Sequence, residues 1–193
     1  MTEHSYPNLK ILAFVGLTGA GKSTAVEYFT NKGFPKVYFG GIIYEAMAEI
    51  GLAKGEDNEK VFRVQIREKE GNDFVVKRII KQIQDLAAAG QHRIIADGLY
   101  TWDEYKALKH AFPGELTVIA ITAPKHKRYH WLTSREDRPQ TPEISAARDI
   151  REIEDLQKGG PIAAADFFVI NNGSFEHMYE QLDEVVTHTE FLA

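Results

Sequence analysis

A glycine-rich run near the start of the chain has the residue types and the spacing that bind phosphate groups. The pattern G-x-x-x-x-G-K-[ST] is filled at every fixed position, by Gly16, Leu17, Thr18, Gly19, Ala20, Gly21, Lys22 and Ser23, with Thr24 following. Glycines let backbone N–H groups converge on phosphate oxygens, and a helix N-terminus adds a favourable partial charge. The run therefore predicts a loop that binds a nucleoside triphosphate, with Lys22 on the terminal phosphates and Ser23 on Mg²⁺.

A second acidic residue is expected to hold the magnesium ion, and Asp97 has the right place in the chain. It follows the apolar run Ile94-Ile95-Ala96, which has the character of a central strand. Ligands bind at the carboxyl ends of the strands in open α/β sheets. We therefore interpret Asp97 as a metal-binding and catalytic residue that could also orient an acceptor hydroxyl or accept its proton. The alternative is that Asp97-Gly98 is only a turn pair.

Basic residues cluster around a charged loop in the second half of the chain, and they suit phosphoryl transfer. Cationic groups stabilise the charge that spreads over the transferring group, and arginine binds it through a planar fork. Arg135 and Arg138 are predicted to cover the transferring group, and Arg148 and Arg151 share one face of the next helix. The alternative is a salt-bridged surface, because Glu152 and Asp155 follow those two arginines at ion-pair spacing. The cluster consists of Lys125, Lys127, Arg128, Arg135 and Arg138.

Several weaker signals have ordinary structural explanations. His126 and His130 are four apart, but the glutamate of a zinc protease motif is missing, so a solvated basic helix is the better interpretation. Trp102 and Tyr105 are more typical of packing than of base stacking. Residues 171–173 (Asn-Asn-Gly) have the composition of a turn, at a sheet edge where a nucleotide base could lie.

Helices and strands alternate along the chain, and this pattern predicts the fold class. A parallel sheet with helices on both faces gives buried, continuously apolar strands, here Lys10–Val15, Lys36–Phe39, Arg93–Ala96, Leu116–Thr122 and Phe167–Ile170. We also expect a helix over Ile42–Ile50 after the Gly40-Gly41 pair. The helix over Glu143–Lys158 is expected to end at Gly159-Gly160-Pro161. Right-handed crossovers make the fold an α/β, doubly wound, five-stranded parallel sheet.

Composition limits the function classes. The chain has 193 residues, a formal net charge of −5, 44% hydrophobic residues and no cysteine. This excludes disulfides, thiolate zinc sites and cysteine nucleophiles, and it fits a reducing, cytoplasmic location. The acidic balance gives no reason to expect nucleic acid as a partner. Neither a signal-like start nor an apolar run of membrane-spanning length is found. We expect a single domain over 1–193, with a monomer favoured.

The chain resembles the P-loop nucleotide kinases, and most closely the dephospho-CoA kinase-like branch of the nucleoside monophosphate kinase superfamily. The resemblance rests on the phosphate loop, on Asp97-Gly98, on Ala123-Pro124 followed by Arg128 and Arg135, and on residues 168–174. It implies ATP and Mg²⁺ as the donor pair, a helical acceptor-binding region over about 39–89 and a lid over about 128–151. It further implies that Asn172 and Gly173 contact ATP.

The acceptor is the part of the resemblance that the residues define least. The acidic residue usual after the second strand does not occur before Glu45, and the Asp-Gly-x-Pro-Arg string of adenylate kinases lacks its arginine here. We expect acceptor contacts from Gly41, Glu45, Arg67, Arg78 and Tyr100, with Arg67, Lys77 and Arg78 able to replace the missing phosphate contacts. The sequence therefore predicts a kinase that moves the γ-phosphoryl group of ATP to a nucleoside monophosphate or dephospho-CoA. The alternative is a P-loop ATPase or switch protein without a small-molecule acceptor.

Overall fold

The computed structural model describes residues 6–53, 55–71, 73–136 and 138–193. Seven side chains of one helix, at positions 56, 57, 59, 60, 63, 64 and 67, also lie outside the description.

Five parallel strands form one sheet in the order β2-β3-β1-β4-β5. Their bounds are β1 Lys10–Val15, β2 Lys36–Tyr38, β3 Arg93–Asp97, β4 Leu116–Thr122 and β5 Phe167–Ile170. Because all pairings are parallel, the carboxyl ends of the strands meet at one edge of the sheet. The predicted α/β, doubly wound, five-stranded fold is confirmed.

Helices cover both faces of this sheet and build two hydrophobic layers. Side chains of β1 alternate between the layers, with Ile11 and Ala13 in one and Leu12 and Phe14 in the other. This explains why the strand is apolar throughout. The helices are α1 Lys22–Thr30, α2 Phe39–Glu49, α3 Glu56–Glu70, α4 Phe74–Ala88, α5 Trp102–Ala111, α6 Lys125–Thr133, α7 Pro142–Glu154, α8 Gly159–Ala163 and α9 Phe175–His188.

Two predicted glycine breaks are wrong, since each glycine pair lies inside a helix. Helix α2 begins at Phe39 and includes Gly40 and Gly41, because Phe39 and Ile42 are both buried in the core at helical spacing. A side chain at Gly40 would place its Cβ 2.4 Å from the Tyr38 hydroxyl oxygen, so the glycine permits a close approach.

The second break, at Gly159-Gly160-Pro161, is instead the short helix α8. A Cβ at Gly160 would lie 2.7 Å from the Trp102 ring, and Trp102 stacks on Tyr105 with ring centroids 4.9 Å apart. The glycine therefore lets α8 pack directly against the start of α5, where Thr101 and Glu104 form a capping box. Among the described residues, none of the helices has both the length and the apolar character needed to span a bilayer.

Candidate active site

The phosphate loop and Asp97 lie side by side at the carboxyl edge of the sheet. The loop connects β1 to α1, and Asp97 is the last residue of β3, in register with Phe14 of the neighbouring β1. Together they enclose a cavity of 230 Å³, called here the phosphate cavity. It is lined by all nine loop residues, Gly16 to Thr24, and by Tyr38, Asp97, Tyr100, Arg135, Arg148, Glu152 and Lys158.

The glycines of the loop are required by close backbone approaches. A Cβ at Gly16 would lie 2.5 Å from the Ile121 carbonyl oxygen, and one at Gly21 would lie 2.3 Å from the Asn171 side-chain nitrogen. Gly21 also has φ of +98°, a left-handed conformation that favours glycine. The loop therefore keeps its backbone bare and curved immediately before α1, which is the geometry that binds phosphate oxygens.

Asp97 is held by two ammonium groups. The Lys22 ammonium donates a hydrogen bond to one Asp97 carboxylate oxygen, and the Lys36 Nζ lies 3.8 Å from the other. Asp97 is buried, and it shares the phosphate cavity with the hydroxyl-bearing Ser23. A carboxylate and a hydroxyl beside a phosphate loop form the oxygen ligand set that suits Mg²⁺, so the residues present fit a magnesium–triphosphate complex.

Thr18, in the middle of the loop, is bound from two helices. Its backbone N–H and its hydroxyl donate to the two carboxylate oxygens of Glu152, over 3.1 and 2.5 Å. Its carbonyl oxygen accepts a hydrogen bond of 3.0 Å from Arg128. Arg128 also binds Asp149 through two hydrogen bonds of 2.8 and 2.7 Å. Helices α6 and α7 are therefore fastened to the loop and to each other.

The Glu152 carboxylate takes part in an almost fully buried ion pair. Glu152 is 5% exposed and Lys158 is 2% exposed, and the Lys158 Nζ lies 2.9 Å from the carboxylate. Burial alone would raise the pKa of Glu152, but Lys158 and the hydrogen bonds from Thr18 outweigh it and hold that pKa below its ordinary value. Burial lowers the pKa of Lys158, and the nearby Lys22 adds to the effect while Glu152 opposes it.

Tyr100 covers the other side of this ion pair. The Lys158 Nζ lies 4.7 Å from the centre of the Tyr100 ring, within the range of a cation–π contact. Burial, together with the negative charges of Asp97 and Glu152, raises the pKa of the Tyr100 hydroxyl far above its ordinary value. Tyr100 is therefore a neutral hydroxyl that lines the phosphate cavity.

A second, more apolar cavity of 380 Å³ adjoins the phosphate cavity. The two share Gly19, Gly21, Thr24 and Arg135. Aromatic rings beside a few polar groups are typical of a site for a flat organic ring, and we call this the base cavity. Its other lining residues are Trp131, Asn171, Gly173, Ser174, Phe175 and Glu176.

The structure separates the predicted arginines. Arg135 lines both cavities, and Arg148 lines the phosphate cavity. Arg138 and Arg151 are exposed, and neither belongs to the described lining of either cavity. Arg148 also contacts Glu152 through its Nε at 3.3 Å, at the four-residue spacing that the sequence shows.

The Asn171–Gly173 segment lies at the base cavity, but its residues divide the work differently from the prediction. Gly173 lines the cavity as expected. The carbonyl oxygen of Asn172 accepts a hydrogen bond from Lys127, and Asn172 is absent from the described lining. The buried Asn171 instead lines the cavity and donates a 3.0 Å hydrogen bond to the Ala20 carbonyl oxygen.

Of the predicted acceptor residues, the structure brings Tyr100 into the phosphate cavity. Glu45 accepts a hydrogen bond of 2.9 Å from Gln82, and Arg78 lies 2.7 Å from Glu49. Gly41 lies against the Tyr38 ring. None of Gly41, Glu45 and Arg78 is among the described lining residues of the two cavities, and the Arg67 side chain lies outside the described part of the chain.

The sequence prediction missed Tyr38 and Lys158, it took Asn171 only as part of a turn near a possible base, and it took Glu152 only as an ion-pair partner. No local pattern distinguishes these residues, because each lines a cavity from a part of the chain outside the loop. The two histidines, His126 and His130, are exposed as expected, and the described residues contain no group of three or more His, Cys, Asp or Glu that could hold a metal.

The fold and the phosphate loop define the chain as a P-loop protein with a kinase-like α/β domain. Two solved structures share this fold at low sequence identity. Shikimate kinase from Bacteroides thetaiotaomicron has a TM-score of 0.56 at 11% identity and covers 94% of this chain and 98% of its own. Dephospho-CoA kinase from Campylobacter jejuni has a TM-score of 0.54 at 15% identity and covers 94% and 98%.

Sequence comparison gives a narrower assignment. A family model described as an AAA domain matches residues 12–157. A UPF0200 protein of Thermococcus kodakarensis is 32% identical over 179 residues, which is 91% of this chain and 96% of that protein. The chain therefore belongs to the AAA-domain family that this model describes and to the UPF0200 proteins.

Proposed function

We propose that the protein is an ATP-dependent phosphotransferase that moves the γ-phosphoryl group to a small nucleotide-like acceptor. The observation that carries this proposal is the continuity of the two cavities. The base cavity meets the phosphate cavity at Gly19, Gly21, Thr24 and Arg135. A nucleotide with its ring near Phe175 therefore directs its phosphates along the loop towards Lys22 and Asp97.

In this arrangement the chain's own residues divide the work of phosphoryl transfer. Loop N–H groups and Lys22 bind the phosphates, and Ser23 and Asp97 would hold Mg²⁺, which neutralises charge on the phosphate oxygens when bound. Lys22 now binds Asp97, so it must turn towards the phosphates when the donor enters. Arg135, at the junction of the cavities, would contact the phosphate chain.

The acceptor side follows from the same geometry. The part of the phosphate cavity that the base cavity does not share is lined, outside the loop, by Tyr38, Asp97, Tyr100, Arg148, Glu152 and Lys158. An acceptor that approaches the γ-phosphate from there meets Asp97, which can orient a hydroxyl or accept its proton. If the acceptor group is a phosphate, no base is needed. Both the nucleoside monophosphate and the dephospho-CoA class fit this proposal.

A lid is also part of the proposal, but the contacts of α6 and α7 restrict it to a shorter segment than the sequence predicts. Residues 128–151 were expected to move, yet Arg128 binds both Asp149 and the Thr18 carbonyl oxygen of the loop. Residues 133–136 and 138–139, by contrast, are exposed. We therefore place the moving part between α6 and α7, where closure would exclude water from the reaction.

A coupled ADP-release screen over nucleoside monophosphates, deoxynucleotides, nucleosides and dephospho-CoA tests this function. We expect one acceptor class to raise the rate of ADP release at least tenfold above the rate without acceptor. The Lys22→Ala variant serves as the control and should release ADP neither with nor without an acceptor. Equal ADP release with every compound and with none would reject the transfer function.

The second candidate is a nucleotide-dependent switch that hydrolyses ATP without a small acceptor. The two hydrogen bonds between Thr18 and Glu152 favour this switch, because a conformational change of the loop would move Glu152 and with it α7. Steady hydrolysis that no compound accelerates, together with a partner that binds only one nucleotide state, would support this candidate over the kinase.

A further inference from the structure

The buried ion pair between Glu152 and Lys158 forms part of the wall of the phosphate cavity. Both residues are among its lining residues. Lys158 is 2% exposed, and burying an ammonium group in this way is unfavourable unless it has a close partner. Its position beside a loop that binds phosphates indicates a use for the charge.

The contacts of Glu152 show what fixes this ammonium. One carboxylate oxygen accepts from the Thr18 N–H and binds the Lys158 Nζ at 2.9 Å, while the other accepts from the Thr18 hydroxyl. Glu152 thus ties Lys158 to the middle of the phosphate loop through a single side chain. Because both groups are buried, this geometry is held rigidly.

The Lys158 ammonium has donors to spare. An ammonium carries three N–H groups, and Glu152 is the one hydrogen-bonding acceptor that the described contacts give it. The Tyr100 ring takes up one further direction through its face. Lys22 and Lys158 both line the phosphate cavity, and repulsion from Lys22 contributes to the lowered pKa of Lys158.

We propose that Lys158 is a second phosphoryl-binding ammonium, opposite Lys22, and that Glu152 is the positioning residue that holds it. This deepens the proposed function and rests on it. The ligand is a phosphate group that carries at least two negative charges. Two sources have that chemistry, namely the γ-phosphate of the donor and a phosphate on the acceptor.

The variants must avoid leaving a buried charge alone. Lys158→Met by itself would remove the buried cationic partner of the Glu152 carboxylate and leave it the more exposed Arg148, at 3.3 Å, which is expected to destabilise the fold. The double variant Glu152→Gln/Lys158→Met removes both charges at similar volume and is expected to fold. Lys158→Arg tests rescue by a different cation. Lys109→Met is the matched control, because Lys109 pairs with Asp166 at 2.8 Å and belongs to the described lining of neither cavity.

Calorimetric titration with a non-hydrolysable ATP analogue and with ADP distinguishes the sources. If Lys158 binds the γ-phosphate, the double variant loses about tenfold or more in affinity for the analogue, as a charge-assisted hydrogen bond would predict. Its affinity for ADP should stay within about twofold. If Lys158 binds an acceptor phosphate, both affinities persist, but inorganic phosphate no longer binds to the ADP complex.

The proposal is overturned if a folded double variant matches the wild-type protein for the analogue, for ADP and for inorganic phosphate. That result would leave the proposed kinase function intact, since nucleotide binding would persist. Failure of the wild-type protein to bind either nucleotide would instead reject the proposed function and this inference with it. Partial recovery in Lys158→Arg would support the role of the charge, and wild-type behaviour is expected of Lys109→Met.

Discussion

The two ends of the proposed reaction are built in different ways. At the phosphate loop, side chains from three distant elements bind the loop directly, namely Arg128, Glu152 and Asn171. In the helical region of α2 to α4, Arg78 and Glu45 bind neighbours within the same region, Glu49 and Gln82. The loop is therefore held in place by buried contacts, whereas these helical residues are joined to one another near the surface.

This difference bears on where the acceptor is recognised. Exposed ion pairs contribute little and rearrange easily, so the Arg78 pair does not fix a binding geometry. The buried groups that line the phosphate cavity outside the loop do fix one. We infer that Tyr100, Glu152 and Lys158 matter more for the transferred group than the charged residues of α2 and α4.

The largest expected effect is at the loop lysine. Lys22→Ala should lower phosphoryl transfer by about a hundredfold or more, because it removes a preorganised charge from the transition state. The melting temperature should stay within a few degrees, since Lys22 is not part of the hydrophobic core and Lys36 remains as a cationic partner of Asp97 at 3.8 Å. A steady-state assay beside a thermal melt measures both quantities. Near-normal turnover by the folded variant would contradict the site.

Asp97→Asn is expected to have the next largest effect. The variant keeps the shape of the side chain but removes the charge that Mg²⁺ and Lys22 would share, so turnover should fall about tenfold to a hundredfold. The magnesium concentration needed for half-maximal rate should rise, while ATP still binds the loop. A magnesium titration of the rate measures this. An unchanged titration would favour a turn residue.

Substitution of Arg135 and of Arg138 should have effects of different size on turnover. Arg135→Ala should lower turnover about tenfold and more strongly than it raises the KM for ATP, because the contact strengthens in the transition state. Arg138→Ala should do the same to a smaller extent, since the exposed Arg138 reaches the nucleotide only if the segment closes. Steady-state kinetics of both variants give the comparison. A larger effect of Arg138→Ala than of Arg135→Ala would show that closure of the segment brings Arg138 into the site, which the lining residues of the two cavities do not indicate.

A pH dependence is expected from the buried ion pair. The pKa of Glu152 is lower in the folded protein than in the unfolded chain. The ionised carboxylate therefore stabilises the fold fully at pH values above its pKa in the unfolded chain. This stabilisation is lost as the pH falls through its pKa in the folded protein. The melting temperature should therefore fall between about pH 5 and pH 3. In Glu152→Gln/Lys158→Met the fall should be smaller. Identical pH profiles would show that other carboxylates determine acid stability.

The smallest effect should come from the helical region. Arg78→Ala is expected to leave the KM of the acceptor within about twofold, because Arg78 binds Glu49 near the surface rather than the cavity. Lys81→Ala, which removes another exposed ion pair of α4, is the matched control. A rise in acceptor KM of tenfold or more in Arg78→Ala alone would restore the prediction made from the sequence.

These contrasts follow the limits of sequence information. Continuously apolar runs between predicted helices predicted the bounds of all five strands to within one residue, because central parallel strands are buried on both faces. The loop was predictable because its chemistry lies in consecutive residues. The contacts of Thr18 with Glu152, and of Ala20 with Asn171, join residues more than a hundred positions apart, and a single sequence carries no signal for such distant pairs. Glycines 40 and 160 misled because a close side chain, rather than a turn, requires them.

The central claim is that the γ-phosphoryl group passes to a small acceptor at the end of the phosphate cavity. Phosphorus NMR of ATP with the protein, Mg²⁺ and the acceptor found by the screen follows that group directly. We predict a new phosphoester or phosphoanhydride resonance that grows at the rate of ADP formation and is absent with Lys22→Ala. If inorganic phosphate is the only other product at every acceptor concentration, the protein hydrolyses ATP and the claim is wrong.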